Sequence, residues 1–336
     1  MKKLIIFLSI INICGLMAQT PQTDQNWVKN NTFSDEFDGL KKNVWYDFTG
    51  GPLWGSQIFR TQNILFGSEN DRDFLRFIAE MVNGTPYSGG IWTGYSTYSG
   101  SGILGLGYGY YEIEARVIQT SGIVSGLWPA FWIQHENFTY PYWYEEMDIF
   151  EPDNCQVRNN NHHVTYWCIK DQTKPQTNNL QGYTGDKYNV NMSMWHKYAL
   201  EWLPEKVIFY IDDEAFFELP QNIPHPYHQN TCFRIDLQTG NSGQCPPNIN
   251  NGLLGYFDVN YFRYYQLNMD CNTDVNEIAD FDNFYFAVKK SITLSGATII
   301  PQNSKITLRA TDYILLQSGF EVPLGAEFCI EPTSCY

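Results

Sequence analysis

The chain has 336 residues and a formal net charge of -15, with 36 acidic and 21 basic side chains. This length allows one large domain or two medium ones, so the size of the core is not limiting. The acidic balance argues against nucleic acid as a partner, because phosphate binding depends on Lys and Arg. It also counts against a densely sulfated substrate.

The first predicted element is a secretory signal peptide over residues 1–18. Lys2 and Lys3 are followed by an apolar run over residues 4–18, which is too short to span a bilayer comfortably. No later stretch of the sequence reaches membrane-spanning length. We therefore expect a secreted or periplasmic bacterial protein, monomeric and without a membrane anchor.

Short alternating runs of apolar and polar residues dominate the chain after the signal peptide, and each run is bounded by Gly, Pro, Asn or Asp. Many short strands with turn signals between them indicate an antiparallel sandwich or barrel. Examples are residues 110–117, 198–203, 207–212 and 281–288. Residues 195–219 predict two adjacent strands joined at Pro204-Glu205 and followed by a turn at Asp212-Asp213. Residues 220–255 are rich in Asn, Gln, Pro and Gly and predict a long loop.

The C-terminal residues 290–336 differ in composition from the rest of the chain. They contain few aromatic side chains and repeat a short β-like phrase about every ten residues, as in SITLSGATI and KITLRATDYI. This pattern predicts a small β-solenoid or β-sandwich module, to which we assign no chemistry. The domain prediction is therefore a signal peptide at 1–18, a large β domain at 19–289 and the small module at 290–336.

The cysteines predict disulfides in an exported protein. Neighbours in sequence suggest the pairs Cys155/Cys168, Cys232/Cys245 and Cys329/Cys335, which would leave Cys271 free. Neither C-x-x-C nor His-x-x-x-His spacing occurs, so the sequence gives little support for a zinc site.

The stretch EEMDIFE at residues 145–151 carries four carboxylates among apolar side chains. In a regular strand Glu146 and Asp148 point to one face, and Glu151 points to the other. A β-bulge around Ile149-Phe150 would insert one extra residue and return Glu151 to the face of Glu146 and Asp148. Two carboxyl groups on one surface are what glycosidic-bond cleavage commonly uses.

A solvated acidic strand is the competing interpretation of the same residues. Three observations favour chemistry instead. Apolar residues between the acids indicate burial on one face, where an unpaired charge is costly. The aromatic stretch YPYWY at 140–144 precedes the acids and is suited to lining a sugar cleft, and the apolar strand GLWPAFWI at 126–133 adds two Trp.

The acid motif and GLWPAFW at 126–132 resemble the bulged E-x-D-x-x-E signature and the G-x-W-P-A-F-W phrase of glycoside hydrolase family sixteen. The likeness covers roughly residues 25–289. Other matching segments are residues 33–38 with Trp45, 88–93, 108–116, 195–213 and 280–286. The resemblance implies an all-β fold, a β-jelly-roll sandwich of two curved antiparallel sheets with a concave cleft. It also implies Glu146 as nucleophile, Glu151 as general acid/base and Asp148 as electrostatic helper.

The resemblance further implies substrate-binding roles for Trp92, Trp128, Trp132, Trp143 and His163. Alternatives stay open for several of them. Trp128 and Trp132 are equally well explained as core residues, and Trp143 as a residue that packs against its own loop. His163 is equally well explained as a surface residue, and His162 is the alternative candidate for its role. Many members of the family carry a structural calcium ion, which here would involve Glu36 and Asp282. No cofactor is expected for catalysis.

The resemblance implies a secreted, retaining endo-glycosidase acting on a β-linked polysaccharide, most simply β-1,3-glucan such as laminarin. One alternative is a hydrolase of marine galactans (agar, porphyran or carrageenan), which salt-dependent binding and basic side chains near the cleft would favour. Another is a carbohydrate-binding protein on an inactive scaffold. The intact acids at 146, 148 and 151 argue against that second alternative.

Overall fold

The computed structural model describes residues 20–22, 24, 26–51, 56–93, 106–123, 126–137, 143–152, 161–169, 171, 173, 180–220, 232–240, 246–276, 287–295 and 298–336. The predicted signal peptide, the predicted calcium ligand Asp282 and the predicted strand residues 281–286 lie outside these ranges. The chain forms two compact units: Lys29–Gln266, and the described part of Met1–Val28 together with Leu267–Tyr336. The predicted domain limits at 19–289 and 290–336 stay a prediction.

Strands make up nearly all of the regular structure, with one 3-10 turn at Thr61–Asn63. In the described part of the chain, no helix is long and apolar enough to cross a membrane. The strands in chain order are β1 (Trp27–Lys29), β2 (Tyr46–Asp47), β3 (Ile58–Phe59), β4 (Ile64–Glu69), β5 (Arg72–Val82), β6 (Thr85–Ser88), β7 (Gly90–Trp92), β8 (Gly109–Gln119), β9 (Trp128–Asn137), β10 (Trp143–Pro152), β11 (His162–Ile169), β12 (Leu180–Lys187), β13 (His196–Leu203), β14 (Lys206–Ile211), β15 (Glu214–Glu218), β16 (Cys232–Gln238), β17 (Gly252–Leu267), β18 (Met269–Asn276), β19 (Val288–Leu294), β20 (Lys305–Leu316) and β21 (Glu327–Pro332).

The larger unit contains two sheets. One has the order β15-β14-β13-β8-β17-β5-β6-β3, with β4 also paired to β5, and the other has the order β12-β11-β10-β9-β16-β7-β2. Every pair in the second sheet is antiparallel. Aromatic side chains join the two sheets, as where Phe150 of β10 stacks on Phe257 of β17 with ring centroids 5.4 Å apart. The predicted all-β sandwich of antiparallel sheets is confirmed.

The alternation of apolar and polar residues explains these strands. In β8, Tyr111, Ile113, Ala115 and Val117 alternate with charged or polar residues and are buried in the shared core. The predicted hairpin after residue 195 is confirmed, because β13 pairs with β14 antiparallel. The predicted turn at Asp212-Asp213 is confirmed as well, since both residues have positive φ before β15.

One prediction about the larger unit is wrong: residues 220–255 are not all loop. They contain β16, in which every residue is buried, and the start of β17. The segment CFRIDLQ alternates with period two, so that Phe233, Ile235 and Leu237 join the core while Arg234 and Asp236 lie on the other face. The Asn- and Pro-rich sequence on both sides of this short run concealed the alternation.

The smaller unit contains a parallel sheet of four strands in the order β18-β19-β20-β21. Parallel strands stacked in sequence order are typical of a β-solenoid, one of the two predicted forms. Ile292, Leu294, Ile306 and Leu308 form part of its core. The buried guanidinium of Arg309 is compensated by two carboxylates, since it donates to Asp24 and Glu331 at 2.7 and 2.9 Å.

The disulfide predictions need correction. Cys271 is bonded to Cys335, with Cα atoms 6.5 Å apart, so the predicted pair Cys329/Cys335 and the predicted free Cys271 are wrong. Cys329 is also disulfide-bonded. Cys232 in β16 is a buried free thiol, which excludes the predicted pair with Cys245. Cys155 lies outside the described residues, but the buried Cys168 of β11 is a thiol and not half of a disulfide, so the predicted pair Cys155/Cys168 is wrong as well. Nearness in sequence failed as a guide because the fold, and not the spacing, sets the distance between Cα atoms.

Candidate active site

The acidic strand β10 contains the predicted bulge. The three-residue step from Asp148 to Glu151 pairs with the two-residue step from Thr165 to His163 in β11. On the β9 side, Asp148 pairs with Trp132 and Phe150 with Phe131, which places the extra residue at Ile149. Ile149 and Phe150 are both buried in the core. Glu151 therefore returns to the sheet face of Glu146 and Asp148, which is called the acid-bearing face below.

A chain of hydrogen bonds holds Glu146. The Tyr144 hydroxyl donates to Glu146 Oε2 at 2.5 Å, and Gln134 Nε2 donates to the Tyr144 hydroxyl at 3.1 Å. Arg234 Nη1 in turn donates to Gln134 Oε1 at 3.0 Å. Burial and the neighbouring Glu146 carboxylate raise the pKa of Tyr144, so that the phenol keeps its proton and remains a donor. These bonds fix the direction in which the Glu146 carboxylate points.

Glu151 has an environment suited to proton exchange near neutral pH. Burial raises its pKa to about 7, and the carboxylates of Glu146 and Asp236 add to this effect. Two neighbours act in the opposite direction: the Trp128 indole N–H, which donates to Glu151 Oε1, and His163. Both protonation states of Glu151 are consequently accessible near pH 7, as a general acid/base requires.

Asp148 lies between the two glutamates in sequence and on the same face. Burial raises its pKa well above the usual range, and the nearby carboxylates of Glu146, Glu151 and Asp236 raise it further. Like charges at close range cannot all ionise together. The acid cluster therefore holds protons to higher pH than isolated carboxyl groups do.

The sequence analysis missed two charged residues on this face, Arg234 and Asp236, because it missed β16. The Trp132 indole N–H donates to Asp236 Oδ2 at 2.8 Å, and the Arg234 guanidinium lies 4.2 Å from the Trp132 ring centroid. Burial raises the pKa of Asp236 to about 6, although Trp132 and Arg234 oppose the shift. The period-two alternation of CFRIDLQ was the signal that could have found both residues.

One cross-strand row leads from the acids to the edge of the sheet. Directly paired residues share a face, and the pairs connect Asp148, Trp132, Arg234, Trp92 and Tyr46 across β10, β9, β16, β7 and β2. At the edge, the Trp92 ring packs against Phe48 with centroids 4.7 Å apart. Both rings line a surface pocket of about 630 Å³. The acid-bearing face thus has an aromatic extension on one side of the acids.

The other predicted binding residues fall in different surroundings. Trp128 is partly buried and contacts Glu151, whereas Trp132 is only 3% exposed and lies against Arg234. His163 pairs directly with Glu151 across the strands, and its Nδ1 is 2.6 Å from Asp186 Oδ1. Its competitor His162 is fully buried and stacks on Phe150 in the core. Trp143 begins β10, but its side chain lies outside the described part of the structure.

The carboxylate of the predicted calcium ligand Glu36 is already paired with basic side chains. It forms ion pairs with Arg263, at 2.8 Å, and with Lys29. Calcium needs six or more oxygen ligands, and two basic side chains beside one carboxylate do not fit such a site. Among the described residues, His, Cys, Asp and Glu form no group of three that could hold a metal ion. Because Asp282 lies outside those residues, the calcium site stays a prediction.

Known proteins resemble this chain in sequence and in fold. Residues 96–244, which include β9, β10 and β16, match the sequence profile of Glycosyl hydrolases family 16. A beta-glucanase from Rhodothermus marinus is 28% identical over 234 residues, which cover 66% of this chain and 75% of the relative.

Two solved structures show the same fold at low sequence identity. One is a glycoside hydrolase family 16 endo-glucanase from Bacteroides ovatus, with a TM-score of 0.54, 18% identity, and coverage of 69% of this chain and 99% of that one. The other is a laminarinase from Flavobacterium sp. UMI-01, with a TM-score of 0.51, 19% identity, and coverage of 69% and 98%. The profile match and the beta-glucanase relative support glycoside hydrolase family 16, a family of retaining enzymes that hydrolyse glycosidic bonds, and the solved structures show the shared fold.

Proposed function

We propose that the protein is a secreted endo-glycosidase that hydrolyses β-1,3-glucan, such as laminarin, by double displacement with retention. The observation that carries this proposal is the bulge in β10. It sets Glu146, Asp148 and Glu151 on one face of the sheet, with the pKa of Glu151 raised to about 7. Two carboxyl groups facing one sugar are the requirement of a retaining mechanism.

In the first step, Glu146 attacks the anomeric carbon while Glu151 gives its proton to the departing glycosidic oxygen. The bond between that carbon and oxygen breaks, and a glycosyl ester forms on Glu146. The hydrogen bond from Tyr144 orients the attacking carboxylate. Burial and nearby negative charge keep the proton on Glu151 until the leaving oxygen accepts it.

In the second step, Glu151 is ionised and takes a proton from an incoming water molecule. The water oxygen attacks the anomeric carbon from the side that the leaving group vacated, and the ester bond to Glu146 breaks. The indole N–H of Trp128 stabilises the ionised Glu151 that this step requires. Two inversions give net retention.

The charge of the acid-bearing face favours a neutral glucan over a sulfated galactan. Among the described residues, this face carries the carboxylates of Glu146, Asp148, Glu151 and Asp236, and its buried cation Arg234 is only 1% exposed. Beside the acids a sulfate group would meet negative charge. Lys42, an exposed cation that lines the pocket at the edge of the sheet, is paired with Asp47 at 3.2 Å. The names of the beta-glucanase relative and of the laminarinase with the same fold support glucan as well.

The test is release of reducing sugar from laminarin, mixed-linkage glucan, agarose, porphyran and carrageenan by the native protein and by Glu146→Gln. We expect short oligosaccharides from laminarin, and loss of that release in the variant. Preferential release from a galactan would replace the proposed substrate. Binding of a polysaccharide without release by the native protein would contradict hydrolysis and favour a carbohydrate-binding protein.

A further inference from the structure

A fourth carboxylate on the acid-bearing face, Asp236, has no part in the mechanism above. It lies in β16, where it pairs with Ala130 of β9 on one side and with Gly90 of β7 on the other. Both neighbours are small. No long side chain in the cross-strand row of Asp236 therefore lies between Asp236 and the acids of β10. Asp236 is 2% exposed, and the Trp132 indole N–H holds its Oδ2 at 2.8 Å.

The register sets Asp236 in the same cross-strand row as Glu151. Phe150 pairs with Phe131, so the next step along these antiparallel strands brings Glu151 beside Ala130, and Ala130 pairs with Asp236. Two strand spacings of about 4.8 Å separate the two acidic residues, or roughly 10 Å between their Cα atoms. At this range and in partly buried surroundings, one charge still changes the ionisation of the other.

Several charged groups surround Glu151, on its own strand and on β11, β12 and β16, whereas the adjacent β9 contributes the Trp128 indole N–H. Glu146 and Asp148 lie on its own strand, His163 on β11 with Asp186 behind it on β12, and Arg234 and Asp236 on β16. Arg234 is directed to Gln134 and to the face of Trp132. The Asp236 carboxylate raises the pKa of both Glu151 and Asp148.

We infer that Asp236 is a positioning residue of the active site, whose negative charge holds the proton on Glu151 until the leaving oxygen takes it. The inference rests on the proposed function, since it requires Glu151 to be the acid/base. Burial raises the pKa of Asp236 to about 6, so Asp236 is mostly charged above that pH and then raises the pKa of Glu151. The group that favours the acid form of Glu151 thus becomes charged just below the pH at which Glu151 would otherwise lose its proton.

The test is the pH profile of kcat/KM for the wild type and for Asp236→Asn, on the polysaccharide that the wild type hydrolyses. Asparagine keeps the size of the side chain and an acceptor for the Trp132 indole but removes the charge. We expect the alkaline limb of the profile to move to lower pH by roughly 0.5 to 1 unit. The activity of the variant relative to wild type should therefore fall as the pH rises from 5 to 8.

Two further variants keep the test decisive. Glu214→Gln removes an exposed carboxylate from the other sheet, and its alkaline limb should stay in place. If Asp236→Asn does not fold, Trp132→Phe replaces it. This change removes the indole that lowers the pKa of Asp236, so Asp236 stays neutral to higher pH and the limb again moves down.

The inference would be overturned if the alkaline limb of the kcat/KM profile did not move in Asp236→Asn, or if this variant lost the same fraction of activity at every pH. A Glu146→Gln variant that remains active would instead overturn the proposed function. The two failures are therefore distinguishable.

Discussion

A fully buried and a half-buried carboxylate site in the larger unit differ in the charges that surround them. On the sheet opposite the acids, Asp258 of β17 is fully buried and accepts hydrogen bonds from Arg76 at 2.6 and 2.7 Å and from Arg116 at 3.0 Å. On the acid-bearing face, Asp148 has the carboxylates of Glu146 and Glu151 as its nearest charged neighbours on the strand. The first site is balanced by opposite charge, and the second is crowded with like charge.

This difference separates a structural arrangement from a chemical one. The hydrogen bonds that Arg76 donates to Asp258 raise the pKa of Arg76, so this guanidinium keeps its positive charge beside the carboxylate. At the second site burial, with added repulsion from neighbouring carboxylates, raises the pKa of Asp148 and raises that of Glu151 to about 7, so Glu151 can exchange a proton near neutral pH. Removing an acid should therefore cost stability at the first site and activity at the second.

The largest expected effect is at the crowded site. Glu146→Gln should lower kcat by about 10⁴-fold, because the nucleophile is lost. Its melting temperature should not fall, since one repulsive charge is removed. The matched control is Glu145→Gln on the same strand, where the side chain faces the core and accepts a hydrogen bond from Tyr166 at 2.9 Å. Both variants are measured by reducing-sugar assay and by thermal unfolding. A greater loss of activity in Glu145→Gln than in Glu146→Gln would contradict the assignment of Glu146 as the nucleophile.

The next effect is at the balanced site. Asp258→Asn should lower the free energy of unfolding by about 3 kcal/mol, because two guanidinium groups lose their buried partner. The folded fraction should keep its kcat, since Asp258 is on the other sheet. Urea unfolding followed by fluorescence measures the first quantity, and kcat per folded molecule measures the second. A stable but inactive variant would contradict the separation of the two sites.

A smaller effect is expected beneath the bulge, where His162 is buried among aromatic rings. Burial lowers its pKa to about 3, so the folded protein keeps the imidazole neutral while the unfolded chain binds a proton below about pH 6.5. Stability is thus lost as the pH falls from about 6.5 to about 3. At pH 5 this loss is about 2 kcal/mol.

The variant His162→Phe should remove that loss while keeping the stacking on Phe150. Its stability relative to wild type should increase on going from pH 7.5 to pH 5, as measured by urea unfolding at both values. An unchanged difference between the two proteins would mean that His162 has the same pKa in the folded and the unfolded chain, which would contradict the shift caused by burial.

The smallest expected effect concerns the donor to Glu151. Trp128→Phe removes the indole N–H that lowers the pKa of Glu151, so the alkaline limb of kcat/KM should move to higher pH by roughly half a unit. Asp236→Asn is expected to move the same limb in the opposite direction. If both variants moved it in the same direction, the assignment of this limb to Glu151 would be wrong.

The sequence predicted features that depend on neighbouring residues. The alternation in β8 and the hairpin of β13 and β14 follow from residues a few positions apart, and the structure contains both. The bulge was predictable because the apolar pair Ile149-Phe150 interrupts the alternation of the acids.

Features that depend on distant segments were missed. Arg234 and Asp236 reach the acids only because β16 inserts between β9 and β7 in the sheet, although β7 is far away in sequence. The Cys271–Cys335 disulfide joins residues 64 positions apart, whereas the predicted pairs were close neighbours. In both cases the partner is chosen by the sheet order, which local patterns do not encode.

The row that links Asp148 to Tyr46 crosses the strands at right angles, so the spacing between strands sets its length. Its length is four steps of about 4.8 Å, or roughly 19 Å, whatever side chains occupy it. The last step rests on β2, which has only two residues, Tyr46–Asp47. Lengthening or deleting so short an edge strand would change the width of the acid-bearing face by one strand spacing and leave Glu146, Asp148 and Glu151 where they are.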